Sequence, residues 1–279
     1  MQDALLYILK KGDKTMEKDR YLNQSIIRAL RILELFAQRE EPLGVTEISR
    51  LVGLHKSTVH RLVITLETSG WLLRMPETDK YRIGLKLIAV GKKAVSDANS
   101  ITAIHPILEK LTQITGETSI LTMVMGNQAI CVDKVETSQR LMISSQVGQS
   151  SPLHAGATGF AVLIGMPEEE AFRTLSHDLP LPVYTDKTPT CMEELRERYK
   201  ERRENGYVIA SGEVDPGTTG IAVPLYFPYE RCYGSLGVVL PDYRADEEKI
   251  QRVLAAVQQG ACEARKRLDW GFEGPCKNM

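Results

Sequence analysis

The stretch Thr46-Glu47-Ile48-Ser49-Arg50-Leu51-Val52-Gly53-Leu54-His55-Lys56-Ser57-Thr58-Val59-His60-Arg61-Leu62-Val63 decides how the front of this chain folds. Ile48, Leu51 and Val52 recur at helical spacing until Gly53 stops them, with Thr46 as the expected N-cap. Only Leu54 and His55 then stand before Lys56, where a second period begins through Val59, Leu62, Val63 and Leu66. Two short helices joined by a three-residue turn containing glycine form a helix-turn-helix. With that apolar set turned inward, Ser57, His60, Arg61, Thr65 and Thr68 face outward. Ser57 and Thr58 sit at the helix start, where free N–H groups and the helix dipole favour a phosphate. Arg61 has the reach and fork geometry to read guanine in a major groove or to meet a phosphate.

Outward from this stretch the pattern continues. Upstream, Ile26, Leu30, Leu33, Phe36 and Ala37 predict an amphipathic first helix that Pro42-Leu43-Gly44 ends. Downstream, Ser69-Gly70 closes the second helix of the motif. Trp71–Met75 and Lys80–Ile83, separated by Pro76-Glu77-Thr78-Asp79, then predict a β-hairpin in the position of a wing. Arg74, Lys80, Arg82 and Lys86 carry charge suited to phosphates. A helix carrying Leu85, Ile88 and Val95 follows to about residue 98. The expected DNA-contacting set is therefore Thr46, Lys56, Ser57, Thr58, His60, Arg61, Thr65, Arg74, Lys80 and Arg82, with double-stranded operator DNA as partner.

Charge is distributed unevenly along the 279 residues. Residues 20–93 hold 13 Lys and Arg against 7 Asp and Glu, whereas residues 94–279 hold 18 against 25. A basic front and an acidic back suggest that only the front meets a polyanion. Cys131, Cys191, Cys232, Cys262 and Cys276 are scattered without a C-x-x-C pair, which points away from a disulfide framework or zinc site and towards a cytoplasmic location. The apolar run Ala4–Leu9 is too short to span a membrane. Met16 offers a second translation start, so residues 1–15 read either as the product of an upstream start or as a loose arm.

The back half reads as mixed α and β. A helix through Ile104, Ile107, Leu108, Leu111 and Ile114 precedes strands at 118–125 and 129–136, joined at Gly126-Asn127-Gln128, and a further strand at 141–147. A Gly/Ala-rich segment spans 151–165, and a helix spans 167–175. Thr190 and Glu193 predict a capping box for the next helix, which Asn205-Gly206 ends. Strands at 221–226 and 235–240 are expected around a turn at Asp215-Pro216-Gly217, and a long helix spans 246–268. Helices bracketing an antiparallel sheet make this an α+β sensor-like domain.

Residues 23–84 resemble the helix-turn-helix domain of the IclR family of bacterial transcriptional regulators, with Gly53–Leu62 as its recognition segment. His55 departs from the pattern, which commonly has Pro. Similar to the family's effector domain are Pro152-Leu153-His154-Ala155-Gly156-Ala157-Thr158-Gly159, Arg202–Tyr207, Asp215-Pro216-Gly217, Gly220–Pro224 and Gly234–Pro241. The resemblance implies a GAF-like domain that binds a small organic acid or aromatic compound and assembles as a homodimer or dimer of dimers. It places effector contacts at Ala157 and Thr158 through a helix start, and at Ala210, Thr218, Gly220, Gly237 and Val239 along the sheet. In well-known carboxylate-binding members Asp, Cys and Ser stand where this chain has Ala210, Gly220, Gly237 and Val239, and Phe160 replaces a usual Lys. Small side chains there predict either room for a larger, more apolar acid or a degenerate pocket that binds nothing.

Enzymatic motifs do not emerge: there is no G-x-S-x-G elbow, Walker lysine or H-E-x-x-H. His154 reads as a packed or capping residue, Cys131 as core, and Asp133 and Glu136 as facing opposite ways. The sequence thus predicts an N-terminal extension (1–22), a winged helix-turn-helix (23–84), a linker helix (85–98), an effector and oligomerisation domain (99–272) and a tail (273–279), with no cofactor, metal or membrane partner. The alternative is an effector-binding enzyme or sensor using its winged helix only for protein contacts.

Overall fold

The computed structural model describes residues 22–37, 39, 41–97, 99–139, 146–176 and 178–268. The chain divides into two compact units between Asp97 and Ala98. The expected upstream arm, the tail, residues 141–145 of the expected strand at 141–147, and the side chains of Ala37 and Val95 lie outside the described residues.

In the first unit, α1 (Gln24–Ala37), α2 (Val45–Val52) and α3 (Lys56–Thr68) precede a hairpin of β1 (Leu72–Met75) and β2 (Lys80–Ile83), and α4 (Lys86–Asp97) follows. The three helices bury Ile32, Phe36, Ile48, Val52, Val59, Val63 and Leu66 against Leu72 and Tyr81 of the wing. Leu43 exchanges two backbone hydrogen bonds with Tyr81, so the chain between α1 and α2 runs as a one-residue third strand beside the wing. The stripe expected on α1 is only partly the buried one. Ala29, Ile32, Leu33 and Phe36 face the core, while Ile26 and Leu30 are 58% and 51% exposed. This helix carries apolar residues on two faces, and periodicity alone does not say which face meets α3.

Helix α2 starts earlier than expected. Its N-cap is Gly44, not Thr46, and the Glu47 carboxylate three residues on accepts the Gly44 N–H at 2.7 Å. That N–H, chiefly, together with Lys80, holds the Glu47 carboxyl below its ordinary pKa. Helix α3 is capped by His55, whose Nδ1 accepts from the Ser57 amide at 3.4 Å and lies 2.9 Å from its hydroxyl. The residue that departs from the usual proline thus acquires a local task, since an N-cap acceptor satisfies one of the orphan amides of the first turn.

The second unit contains α5 (Asn99–Thr115), β3 (Thr118–Met125), β4 (Gln128–Val135), β5 (Ser150–Pro152), α6 (Ala157–Gly165), α7 (Glu168–Ser176), α8 (Met192–Asn205), β6 (Val208–Ser211), β7 (Thr218–Phe227), β8 (Cys232–Pro241) and α9 (Glu247–Arg267). Its sheet is antiparallel with the order β5-β4-β3-β8-β7-β6. Alternation along β7 and β8 sends Ile221, Val223, Leu225, Leu236 and Val238 to one face, where they pack with α5 and α9. On the opposite face Ala210 and Ala222 pack with α6, α7 and α8. Two cores therefore sandwich one sheet.

Several sequence expectations are corrected here. Strand β6 is not foreseen, and the Asp215-Pro216-Gly217 turn joins it to β7; the turn between β7 and β8 lies instead at 228–231, with Arg231 at φ 51°. Helix α8 is capped at Cys191 without a side-chain bond, so the Thr190–Glu193 box does not form. Ile114 is exposed. By contrast Gly206 ends α8 in the left-handed conformation, and the Asp246 carboxylate caps α9 by accepting the Lys249 amide at 2.7 Å.

Candidate nucleic-acid interface and effector site

On α3 the side chains of Lys56, Ser57, His60, Arg61, Thr65 and Thr68 are exposed, and Thr58 is half-buried. Ser57, His60, Arg61, Ile64, Thr65 and Thr68 follow one another by three, one, three, one and three positions, which is a single face of the helix. Ile64, 41% exposed in this row, is missed by a reading that sought only polar residues. Its position three residues after Arg61 is the signal, and an apolar side chain there suits a thymine methyl. Thr65 spends its hydroxyl on the Arg61 carbonyl at 2.8 Å. Among the described residues Lys56, His60 and Arg61 have no side-chain partner. Thr46 is exposed on α2.

The wing's cations are not equivalent. Arg74 donates to Asp79 across the turn at 2.7 Å, and Lys80 lies 3.5 Å from Glu47. Arg82 is exposed and has no side-chain partner among the described residues. It shares a wing face with Lys80, because residues two apart in a strand project alike. Lys86 donates to the Ser69 carbonyl at 3.1 Å and lies over the Trp71 ring, 5.1 Å from its centroid. The two paired cations are half-exposed, so their pairs contribute little to stability.

In the second unit the residues assigned to an effector come together around the start of α6. Ala210, Gly220, Val239 and Thr118 lie side by side across β6, β7, β8 and β3, and Ala222, Gly237 and Ile120 form the next row on the same face. Thr158 accepts from Ser235 through its carbonyl at 2.9 Å. Thr218 turns its hydroxyl to the Asp215 carbonyl at 2.7 Å. The space expected at the glycines is already filled, which corrects the reading of a vacant apolar floor. A Cβ on Gly220 would lie 2.7 Å from the Ala157 methyl, and one on Gly237 would lie 2.9 Å from Ala222 Cβ and 3.2 Å from Thr158 Cγ2. These glycines admit the helix itself to the sheet.

The ends of α6 are held by residues that sequence reading passes over. Every residue of α6 except Thr158 and Gly165 is buried. At its start the Glu213 carboxylate accepts the Gly156 N–H at 2.9 Å, and its other oxygen takes Arg198 at 2.9 Å and Arg202 at 3.1 Å. The Arg202 guanidinium also lies 4.5 Å from the Phe160 ring centroid, so a cation stands beside Phe160 from a neighbouring helix. At the other end Arg203 donates to the Ile164 carbonyl at 3.2 Å and to the Met166 carbonyl, which Tyr199 also engages at 2.7 Å. An anion at the N-terminus and a cation at the C-terminus both complement the helix dipole.

His154 is buried with Nε2 donating to the Pro182 carbonyl at 3.0 Å, and burial lowers its pKa. Cys131 is buried with its thiol pushed up to about 11 by desolvation, which leaves it unreactive at neutral pH. Asp133 pairs with His105 at 2.7 Å and Glu136 with Lys134 at 2.6 Å, so the two carboxylates serve separate contacts. Among the described residues no cluster of three or more His, Cys, Asp or Glu side chains could hold a metal, and no helix is long and apolar enough to cross a membrane.

Comparison with known proteins accounts for both units. Residues 25–76 match the model of the IclR helix-turn-helix domain, and residues 92–264 match that of the bacterial transcriptional regulator IclR C-terminal region. The chain is 31% identical over 247 residues to the HTH-type transcriptional regulator XynR of Escherichia coli, covering 88% of this chain and 98% of that protein. It is 29% identical to the acetate operon repressor of Salmonella typhimurium, with 86% and 88% covered. Among solved structures, the IclR transcriptional regulator of Alicyclobacillus acidocaldarius superposes with a TM-score of 0.79 at 26% identity, covering 89% of this chain and 100% of that one. An IclR homolog from Microbacterium hydrocarbonoxydans complexed with 4-hydroxybenzoate gives 0.72 at 25%, covering 88% and 99%.

Proposed function

We propose that this chain, which belongs to the IclR family of bacterial transcriptional regulators and so is a DNA-binding regulator rather than an enzyme, reads an operator through α3 as a homodimer and responds to a small organic acid. The exposed face Ser57-His60-Arg61-Ile64-Thr65-Thr68 carries this reading. It combines hydrogen-bonding groups, one guanidinium and one apolar side chain, the mixture that base edges in a major groove require. Arg82 and, on exchange of their present partners, Lys80 and Arg74 serve the phosphates. One such face reads only a few base pairs, and a two-fold pair reads a palindrome. Leu22, Ile26 and Leu30, four residues apart, and separately Leu85 and Ile88, are exposed apolar side chains of the DNA-binding unit that a second copy would cover.

The acid reading is supported by the helix start at Ala157 and Thr158 and by the 4-hydroxybenzoate bound to the Microbacterium homolog. Since α6 already fills the sheet at Gly220, the acid's body is expected beside Val239 and Thr118 rather than over Gly220. An electrophoretic mobility assay on DNA upstream of the chain's own gene tests the function. Wild type shifts it specifically, and Arg61→Ala loses roughly 1–3 kcal/mol of operator affinity with relaxed specificity at one position. Unchanged affinity and footprint for Arg61→Ala would remove α3 from the interface.

A further inference from the structure

We infer that Glu213 is a built-in competitor for the effector's acid group, a carboxylate of the chain's own that sets how strongly α6 attracts an anion. This rests on the acid reading above. The side chain of Glu213 is only 5% exposed, yet it belongs to the turn after β6, 57 positions from the amide it caps. One oxygen accepts from Gly156, the N-cap residue of α6. The next amides, of Ala157 and Thr158, have no acceptor among the described residues. Consecutive amides at a helix start converge on one region, so an acid reaching Ala157 or Thr158 would stand within a few ångströms of Glu213.

Two like charges at that separation repel strongly where solvent is scarce. The arginines set the other half of the balance. Arg198 is shared with Glu194 at 2.6 Å, whereas Arg202, with its side chain 15% exposed, has Glu213 as its carboxylate partner. The Nη1 of Arg202 is buried and has no hydrogen-bond acceptor. With Glu213 in place the arginine charge is spent; with Glu213 neutral, it becomes available to an entering acid. Both effects have the same sign. Glu213 therefore weakens acid binding and selects for acids whose remaining contacts outweigh its repulsion.

The test is calorimetry on the full chain with aromatic and two- to three-carbon carboxylic acids, each beside its neutral amide, 4-hydroxybenzoate and 4-hydroxybenzamide first. Glu213→Gln keeps a carbonyl for the Gly156 amide and removes the charge. Acid affinity should rise by about tenfold, the order left when a near like-charge contact is discounted for the neighbouring arginines. Amide affinity should not move. In the double variant Glu213→Gln, Arg202→Gln the gain should shrink to the part that comes from relieved repulsion alone. A purely structural role predicts acid and amide falling together, and that result, or an unchanged acid affinity, overturns the inference. Should Glu213→Gln not fold, Glu213→Asp, one methylene shorter, withdraws the charge from Gly156 and should give a smaller gain of the same sign; no gain is equally decisive. If wild type and variants bind none of the acids while operator binding persists, the acid reading itself fails and the inference with it. Binding of acids by wild type without the predicted rise removes the inference alone.

Discussion

Helices α3 and α6, to which the proposed function gives the operator and the acid, use opposite designs. In α3 one face is packed and the other is left with exposed, mostly unpartnered side chains, capped locally by His55 one residue before it begins. In α6 nearly every residue is buried, and its ends are held by Glu213, Arg203 and Tyr199 from distant segments. A helix that reads a large external partner keeps its chemistry on its own surface. A helix that anchors an internal site borrows chemistry from elsewhere.

The contrast breaks first at glycine. Gly159 lies so close to Pro152 that an added Cβ would sit 1.9 Å from its carbonyl oxygen, a rigid backbone atom. Gly159→Ala should destabilise the second unit by about 3 kcal/mol or more, the top of the usual overpacking range, as a lowered midpoint in urea. A stability within error of wild type would show that α6 is not locked against β5. In the turn before α3, Gly53 has nothing within 4 Å of its missing Cβ but holds φ at 67°. There Gly53→Ala should cost only the left-handed backbone penalty of about 1–2 kcal/mol and should spare the second unit. Two glycines, one needed for space and one for conformation, thus separate the two designs by magnitude.

Capping sharpens the comparison. The His55 cap on α3 is long and exposed, so His55→Ala should lower stability by only about 0.5 kcal/mol, the low end for caps. Differential denaturation of the isolated variant against wild type measures it, and a loss of several kilocalories would mean that His55 does more than cap.

The smallest effect concerns pH in the second unit. Burial depresses the His154 pKa, so the folded protein resists the proton that the unfolded chain accepts near the ordinary histidine value of about 6.5. Stability from this group is therefore complete above about pH 6.5 and declines as pH falls from there through the lower folded pKa. Melting curves between pH 7.5 and 5 should show that decline in wild type and a reduced slope in His154→Gln, whose amide can still donate to Pro182. Equal slopes would assign the acid sensitivity to other groups.

Most elements of the fold were legible because apolar spacing is a local record of which face is buried. The reading failed where that record is ambiguous or short. On α1, apolar residues at both Ile26–Leu30 and Ile32–Phe36 satisfy a helical period, and only packing against α3 and the wing selects the second. Strand β6 has four residues, too few for a pattern. The exposed face of α3 was legible almost in full, since the side opposite an apolar stripe needs no tertiary information. Ile64 was passed over only because its chemistry resembles that of the core.

What the sequence determined by itself, then, is the order of the longer elements, the two-unit organisation and the residues that α3 presents. Each follows from spacing along a few turns of chain. What only the tertiary structure decided is the environment of α6: that Gly220 and Gly237 accommodate the helix rather than leave space, and that Glu213 brings a carboxylate to its start. Gly156 and Glu213 are far apart in sequence and meet only because β6 lies on the sheet edge beside β7, in register with Gly220 against Ala157. Local periodicity carries no information about such a meeting, because it is fixed by strand order and by the close approach of one backbone to another.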